Sequence, residues 1–186
     1  MQENDIMIMV VTTRDNVVLA LPAGWTKFNE LNNGTTLRST MAWKRAVAGE
    51  AGLYTVTHTG GDAIIGTIID YYGALTSGSP ISGTPTTRAN ASSSTITADA
   101  ITTTVNNALV VFSSHYASNV THSSYASTGL AFSEQRDLGT SLGLTASIAL
   151  ANALKATSGA TSAVTALATG TAGINIGGLF AIAPQP

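Results

Sequence analysis

Apolar residues in this chain recur at every second position or in short unbroken runs, and the runs are rich in Val, Ile and Thr and punctuated by Gly, Asn and Pro. That is strand patterning. In "TLRSTMAWKR" Leu37, Met41 and Trp43 fall on one face and Arg38, Thr40 and Lys44 on the other, which predicts a half-buried strand. "SLGLTASIALANAL" is helical in its Ala and Leu content, yet Leu142, Leu144, Ile148, Leu150 and Leu154 are all even-numbered and the odd positions are small or polar. Period two takes precedence over propensity there. "IMIMVV" and "ALVVF" are apolar on both faces, as central strands covered from both sides would be. The expected core includes Trp25, Trp43, Ile68, Leu144, Ile148 and Phe180.

The pattern recurs. "IMIMVVTT" (6–13) matches "ALVVFSSH" (108–115), "GWTKFNEL" (24–31) matches "GLAFSEQR" (129–136), and "TTLRSTMAW" (35–43) matches "TSLGLTASI" (140–148). "YTVTHTG" (54–60) then matches "AVTALATG" (163–170), and "AIIGTIIDYYG" (63–73) matches "NIGGLFAIAP" (175–184). The order never breaks, which points to a single 1–186 domain built from two copies, about 6–73 and 108–184. Two copies of about five strands closed face to face predict an all-β, two-sheet antiparallel sandwich of jelly-roll type. Between them, residues 73–95 are rich in Gly, Ser, Thr and Pro and read as an exposed arm. "TITADAITTTV" (95–105) gives the second copy an extra strand ahead of "ALVVF", whereas Met1 lies only five residues ahead of Ile6. The first copy is thus expected to lack that strand and to leave an edge open beside residues 6–13, filled by the 73–95 arm or a terminus of an adjacent subunit.

Composition changes the picture at one point. Asp, Glu, Lys and Arg make up 10% of the 186 residues, against about 25% in an ordinary soluble domain. From Leu138 to Pro186 the only such side chain is Lys155, and from Ala74 to Ser133 there are only Arg88 and Asp99. A surface of Ser, Thr, Ala, Gly and Asn is easy to desolvate and suits permanent contact with neighbours. The expected contact face is Ser141, Gly143, Thr145, Ser147 and Ala149, the small odd positions of one strand, docking on copies of the chain or on a lattice. A net charge of −2 with 8 basic residues argues against a nucleic-acid groove. There are no cysteines, and the Ile6–Val11 run is too short for a signal peptide or a membrane span.

No chemistry-bearing motif emerges. No nucleophile elbow is expected, and H-E-x-x-H and phosphate-cradling glycine loops are missing from the sequence. Asp70 lies on a strand with Ile64, Ile68 and Tyr72 and reads as a strand-end carboxylate without a catalytic partner. His58 reads as a rim-of-core residue, and His115 and His122 flank a turn without a third ligand at recognisable spacing. No catalytic residue, metal or cofactor is expected. A glycan platform would have to draw on Tyr71, Tyr72, Tyr116 and Tyr125, which makes a carbohydrate-binding or adhesin module the first rival and a self-polymerising extracellular filament subunit the second.

The pieces "NDIMIMVV", "PAGW", "LRSTMAWK", "YTVT", "IIGTIIDYYG" and "NIGGLFAIAP" together resemble a family of β-sandwich domains in bacteriophage and bacterial surface proteins. Its motifs are packing motifs, and Asn4 stands where that family carries a glycine. The resemblance implies a non-enzymatic structural part of a virion or cell surface, such as a capsid decoration or a tail- or fibre-associated subunit, whose partners are copies of itself and a major capsid or tail protein.

Overall fold

The computed structural model describes residues 1–50 and 53–186, all of them in strands, turns or irregular connections with no helix. The first half gives β1 (Ile6–Arg14), β2 (Thr26–Asn33), β3 (Leu37–Arg45) and β4 (Ile64–Tyr71), hydrogen-bonded in the order β2-β3-β1-β4. The chain then forms β5 (Thr86–Ser93), β6 (Thr95–Ala98), β7 (Thr102–Thr103), β8 (Ala108–Tyr116), β9 (His122–Ala126), β10 (Ser133–Thr140), β11 (Ala146–Lys155), β12 (Gly159–Ala160), β13 (Val164–Ala168) and β14 (Gly173–Ile182). The second sheet runs β10-β11-β8-β14-β5, an outer sheet β6-β13-β9 covers it, and β7 and β12 form a short ribbon. All pairings are antiparallel.

The chain is therefore the expected all-β sandwich, with one large sheet from each half. Ile6, Ile8, Val10 and Met41 of the first sheet meet Val111, Ile148, Leu150, Phe180 and Ile182 of the second in the shared core. The other face of the second sheet, including Val110, Phe112 and Leu179, packs under Ile96, Ala98, Val164 and Ala166 of the outer sheet. The other face of the first sheet, Met7, Met9, Val11 and Ala42, is covered mostly by irregular chain carrying Leu19, Trp25, Tyr54 and Val56. Both central strands, β1 and β8, thus bury both faces, which is why their sequences are apolar without alternation.

The two sheets repeat one another beyond strand order. β2 bulges against β3 between Lys27 and Asn29, and β10 bulges against β11 between Glu134 and Arg136. Beyond the bulge Asn29 faces Met41 and Arg136 faces Leu150. Following the ladders onward, Met41 pairs with Val10 and Val10 with Thr67, while Leu150 pairs with Ser113 and Ser113 with Gly178. One position along, Gly66 therefore stands where Gly177 stands. This register keeps the expected match of "IIG" with "NIG" and shifts the other strands: Ile6 is level with Leu109, not Ala108, and Trp43 with Asn152, not Ile148. Apolar runs look alike in either register, and a one-residue slip exchanges the two faces.

Three expectations are overturned. Residues 73–95 are no free arm: β5 pairs with β14, Ile81 bridges to Ile182, Ala74 bridges to Pro184, and Ser82 is buried. Nor does "TITADAITTTV" flank "ALVVF" as one strand. It breaks into β6 and β7, and β6 joins β13 in the outer sheet, while β8 is held by β11 and β14. The edge beside residues 6–13 is closed within the chain, because β1 lies between β3 and β4.

Candidate functional site

The expected contact face does not exist as a free surface. β11 begins only at Ala146, because Gly143 takes a left-handed φ of 61° and the chain runs so close to Asp62 that a Cβ there would lie 2.5 Å from the Asp62 carbonyl oxygen. Ser141 and Gly143 sit exposed in this turn and Thr145 is half-buried, but Ser147 and Ala149 have no exposed surface. They pair with Tyr116 and Ser114, on the face that the outer sheet covers. Their small size lets the outer layer approach. Of the expected core, Trp25, Ile148 and Phe180 are buried, and Trp43 and Ile68 pack half-buried against the inner and outer clusters. Leu144 is not core: it is 42% exposed in the same turn.

The titratable groups are dispersed. His58 is exposed, and Asp70 is exposed on β4 opposite Met7. His115 is fully buried between the sheets, sharing a 2.6 Å hydrogen bond between its Nδ1 and Thr12 Oγ1, and burial holds its pKa down to about 3. His122 lies in the outer layer, with Nδ1 3.0 Å from Asp137 Oδ1; burial lowers its pKa and the Asp137 carboxylate partly opposes this. Among the described residues no three His, Cys, Asp or Glu side chains gather as metal ligands would. Tyr71 and Tyr116 are buried, which removes two rings from any exposed sugar platform, while Tyr72 is 90% exposed.

What the fold does leave open is the outer edge of β4. Its twin β14 is paired on both sides and buried from Asn175 to Ile182, whereas among the described residues β4 pairs with β1 alone and is mostly half-exposed. An apolar groove of about 390 Å³ runs alongside it on the outer face, lined by Met9, Val11, Tyr54, Val56, Ile64, Gly66, Thr67 and Ile68. Its wall is fixed. The Tyr54 hydroxyl donates to Glu50, Lys44 Nζ bonds Glu50 at 2.6 Å, and the Trp25 and Tyr54 rings meet edge to face at 5.2 Å. The Lys44 and Tyr54 hydrogen bonds hold the Glu50 carboxyl down to about 2. Near this edge, across the sandwich, Leu138 of β10 is 37% exposed, and Leu142 of the turn that follows is 81% exposed.

The open edge was expected on the wrong strand. The readable signal for the right one was the shared glycine of "IIG" and "NIG". No protein-family model, curated protein or solved structure matches the chain.

Proposed function

We propose that this chain is a non-enzymatic structural subunit of a virion or cell surface, a capsid decoration or a tail- or fibre-associated part, that is held in its particle through the unfinished edge of its first sheet. The observation that carries this reading is an eight-residue strand edge unpaired among the described residues, bordered by an apolar groove, in a chain with 10% charged residues. Exposed strand edges template pairing with another chain, and proteins that avoid this place Lys, Pro or bulges there. β4 has none of the three; its only charge is Asp70. Sedimentation at micromolar concentration and physiological salt is expected to show assembly of the chain with its particle partner. Mass determination of native particles is expected to find the chain there, and its absence from them together with an inert monomer in solution would overturn the reading.

A further inference from the structure

We infer that the first sheet takes an extended, Thr/Ser-rich strand from another polypeptide, seated on β4 and in the adjoining groove as residues 86–98 of this chain are seated on the second sheet. The inference rests on the reading of the β4 edge as a contact surface and names what makes the contact.

The second half displays the occupied form of the same site. There β5 runs along β14 with Arg88 opposite Gly177 and Thr86 opposite Leu179. The chain then crosses at Ser94 into the outer sheet, where Ile96 pairs with Ala166 and Ala98 with Val164. Ile96 and Ala98 are fully buried. One continuous segment thus closes the sheet edge and fills the outer core. Residues 1–5, ahead of β1, form no strand, and the first sheet has no such segment among the described residues.

Gly66 is an independent mark of the missing occupant. Gly177 must be glycine because a Cβ there would lie 2.3 Å from the Thr97 carbonyl oxygen, that is, because the crossing strand lies directly on it. Gly66 holds the twin position on the same outer face, but what a Cβ would meet is only its own sheet, Val11 Cγ2 at 3.1 Å and the Val10 carbonyl oxygen at 3.3 Å. Its φ is not left-handed, so no turn requires it. A glycine inside a strand weakens it and marks a place where another backbone comes close. Here the seat is present, and among the described residues no second backbone lies on it.

The occupant's chemistry follows from the seat. Its backbone would complete the hydrogen bonds of β4, and its branched aliphatic residue, in the place of Ile96, would enter the groove between Met9, Val11 and Val56. Small Thr, Ser and Ala residues flank it, since larger ones would clash at the Gly66 seat. Asp70, the only charge on β4, occupies the place of Ala181, four positions beyond Gly66 along the ladder. In the second sheet the Ser82 amide donates to the Ala181 carbonyl, so the residue opposite Asp70 corresponds to Ser82, where Lys or Arg is favoured.

The test uses a synthetic peptide copying residues 82–98 and its S82K variant, added in trans to the whole chain, with binding read by fluorescence anisotropy and amide exchange read across residues 64–71. We expect saturable binding below about 1 mM, tighter for the S82K peptide, with slowed exchange at β4. Gly66→Val should weaken it about tenfold or more while the chain still melts cooperatively, and a peptide carrying Ile96→Asp, which leaves the protein untouched, should not bind. If neither peptide binds and β4 amides are instead protected with rising concentration of the chain alone, the edge pairs with a second copy and the inference is overturned while the contact reading stands. If β4 amides also exchange freely in the native particle, both fail.

Discussion

β4 and β14 are the same strand of two matching sheets, and they differ in what lies beside them. β14 has β5 along its edge and β6 across its outer face, and eight consecutive residues are buried; among the described residues β4 has neither, and of its own residues only Tyr71 is buried. The side chains themselves are similarly apolar, Ile64, Ile65, Ile68 and Ile69 against Ile176, Leu179, Phe180 and Ile182. Burial here is set by neighbours and not by the strand's own sequence. The clasp differs too. On β14, Asn175 accepts from Asn90 Nδ2 at 2.9 Å and donates to the Ser93 carbonyl at 3.0 Å, whereas the twin position on β4 is Ile64. The second sheet locks its extra strand with amides, and the first offers only apolar surface and a bare ladder, which suits a strand that arrives from elsewhere.

The sharpest way to break the comparison is to charge the covered side. Ser147→Glu places a carboxylate under the outer sheet, where even the serine hydroxyl has no partner. We expect a loss of about 4 kcal/mol or more, enough to abolish folding, while Ser141→Glu, on the exposed turn, stays within about 0.5 kcal/mol. Urea denaturation of both variants checks this. Soluble, folded S147E protein would mean that the outer sheet does not seal the second half.

Acid should act between the sheets through the Thr12–His115 pair, whose members stand at the same position of the two central strands. Unfolded, the imidazole takes up a proton below its ordinary pKa near 6.5; folded, it stays neutral down to about 3. The unfolded state therefore binds more protons across that window, and stability is lost as pH falls from 6.5 toward 3, by an amount on the order of 4 kcal/mol. His115→Gln should flatten this limb in urea midpoints measured from pH 7 to pH 4. An unchanged acid limb would show that this histidine is not the group that titrates.

A smaller effect separates the outer faces. Leu179 is fully buried and its twin Ile68 is half-buried. Leu179→Ala should cost about 2–5 kcal/mol, and Ile68→Ala roughly half of that, since part of its surface is already wet. Equal costs would mean that the groove is closed in solution.

The legible parts of this fold were those where side-chain chemistry alternates along one strand. The Leu37, Met41 and Trp43 face and the Ile148 and Leu150 face stand as the alternation requires. The repeat was legible in its order, and in register only at Gly66 and Gly177, because a glycine is distinctive where Val and Ile are interchangeable. The illegible parts depend on the third dimension. Ser147 and Ala149 are small and uncharged both on a docking surface and under a tightly packed layer, and nothing local distinguishes the two. Residues 73–95 have loop composition, yet Thr86–Ser93 forms an edge strand, because β14 supplies the ladder and β-branched threonine tolerates it. The unfinished edge lay one strand over from where it was expected because strand order in a sheet is a long-range property.

The finest test of the comparison is a single methyl group at the two glycines. At Gly177 the added Cβ would stand 2.3 Å from the Thr97 carbonyl and 2.8 Å from the Ala98 amide nitrogen, both backbone atoms of a strand pinned by its own ladder. Neither can swing aside, so Gly177→Ala should force β6 off the sheet at a cost of about 1–3 kcal/mol. At Gly66 the methyl meets Val11 Cγ2 at 3.1 Å, which can shift into the open groove, and the Val10 carbonyl oxygen at 3.3 Å, which has to give by only a few tenths of an ångström. The alanine also restricts the unfolded chain, so Gly66→Ala should change stability by less than about 1 kcal/mol in either direction. Urea midpoints of the two variants measure the difference. If Gly66→Ala destabilised the isolated chain as much as Gly177→Ala does, a backbone would already lie on β4, and the two sheets would be equally complete.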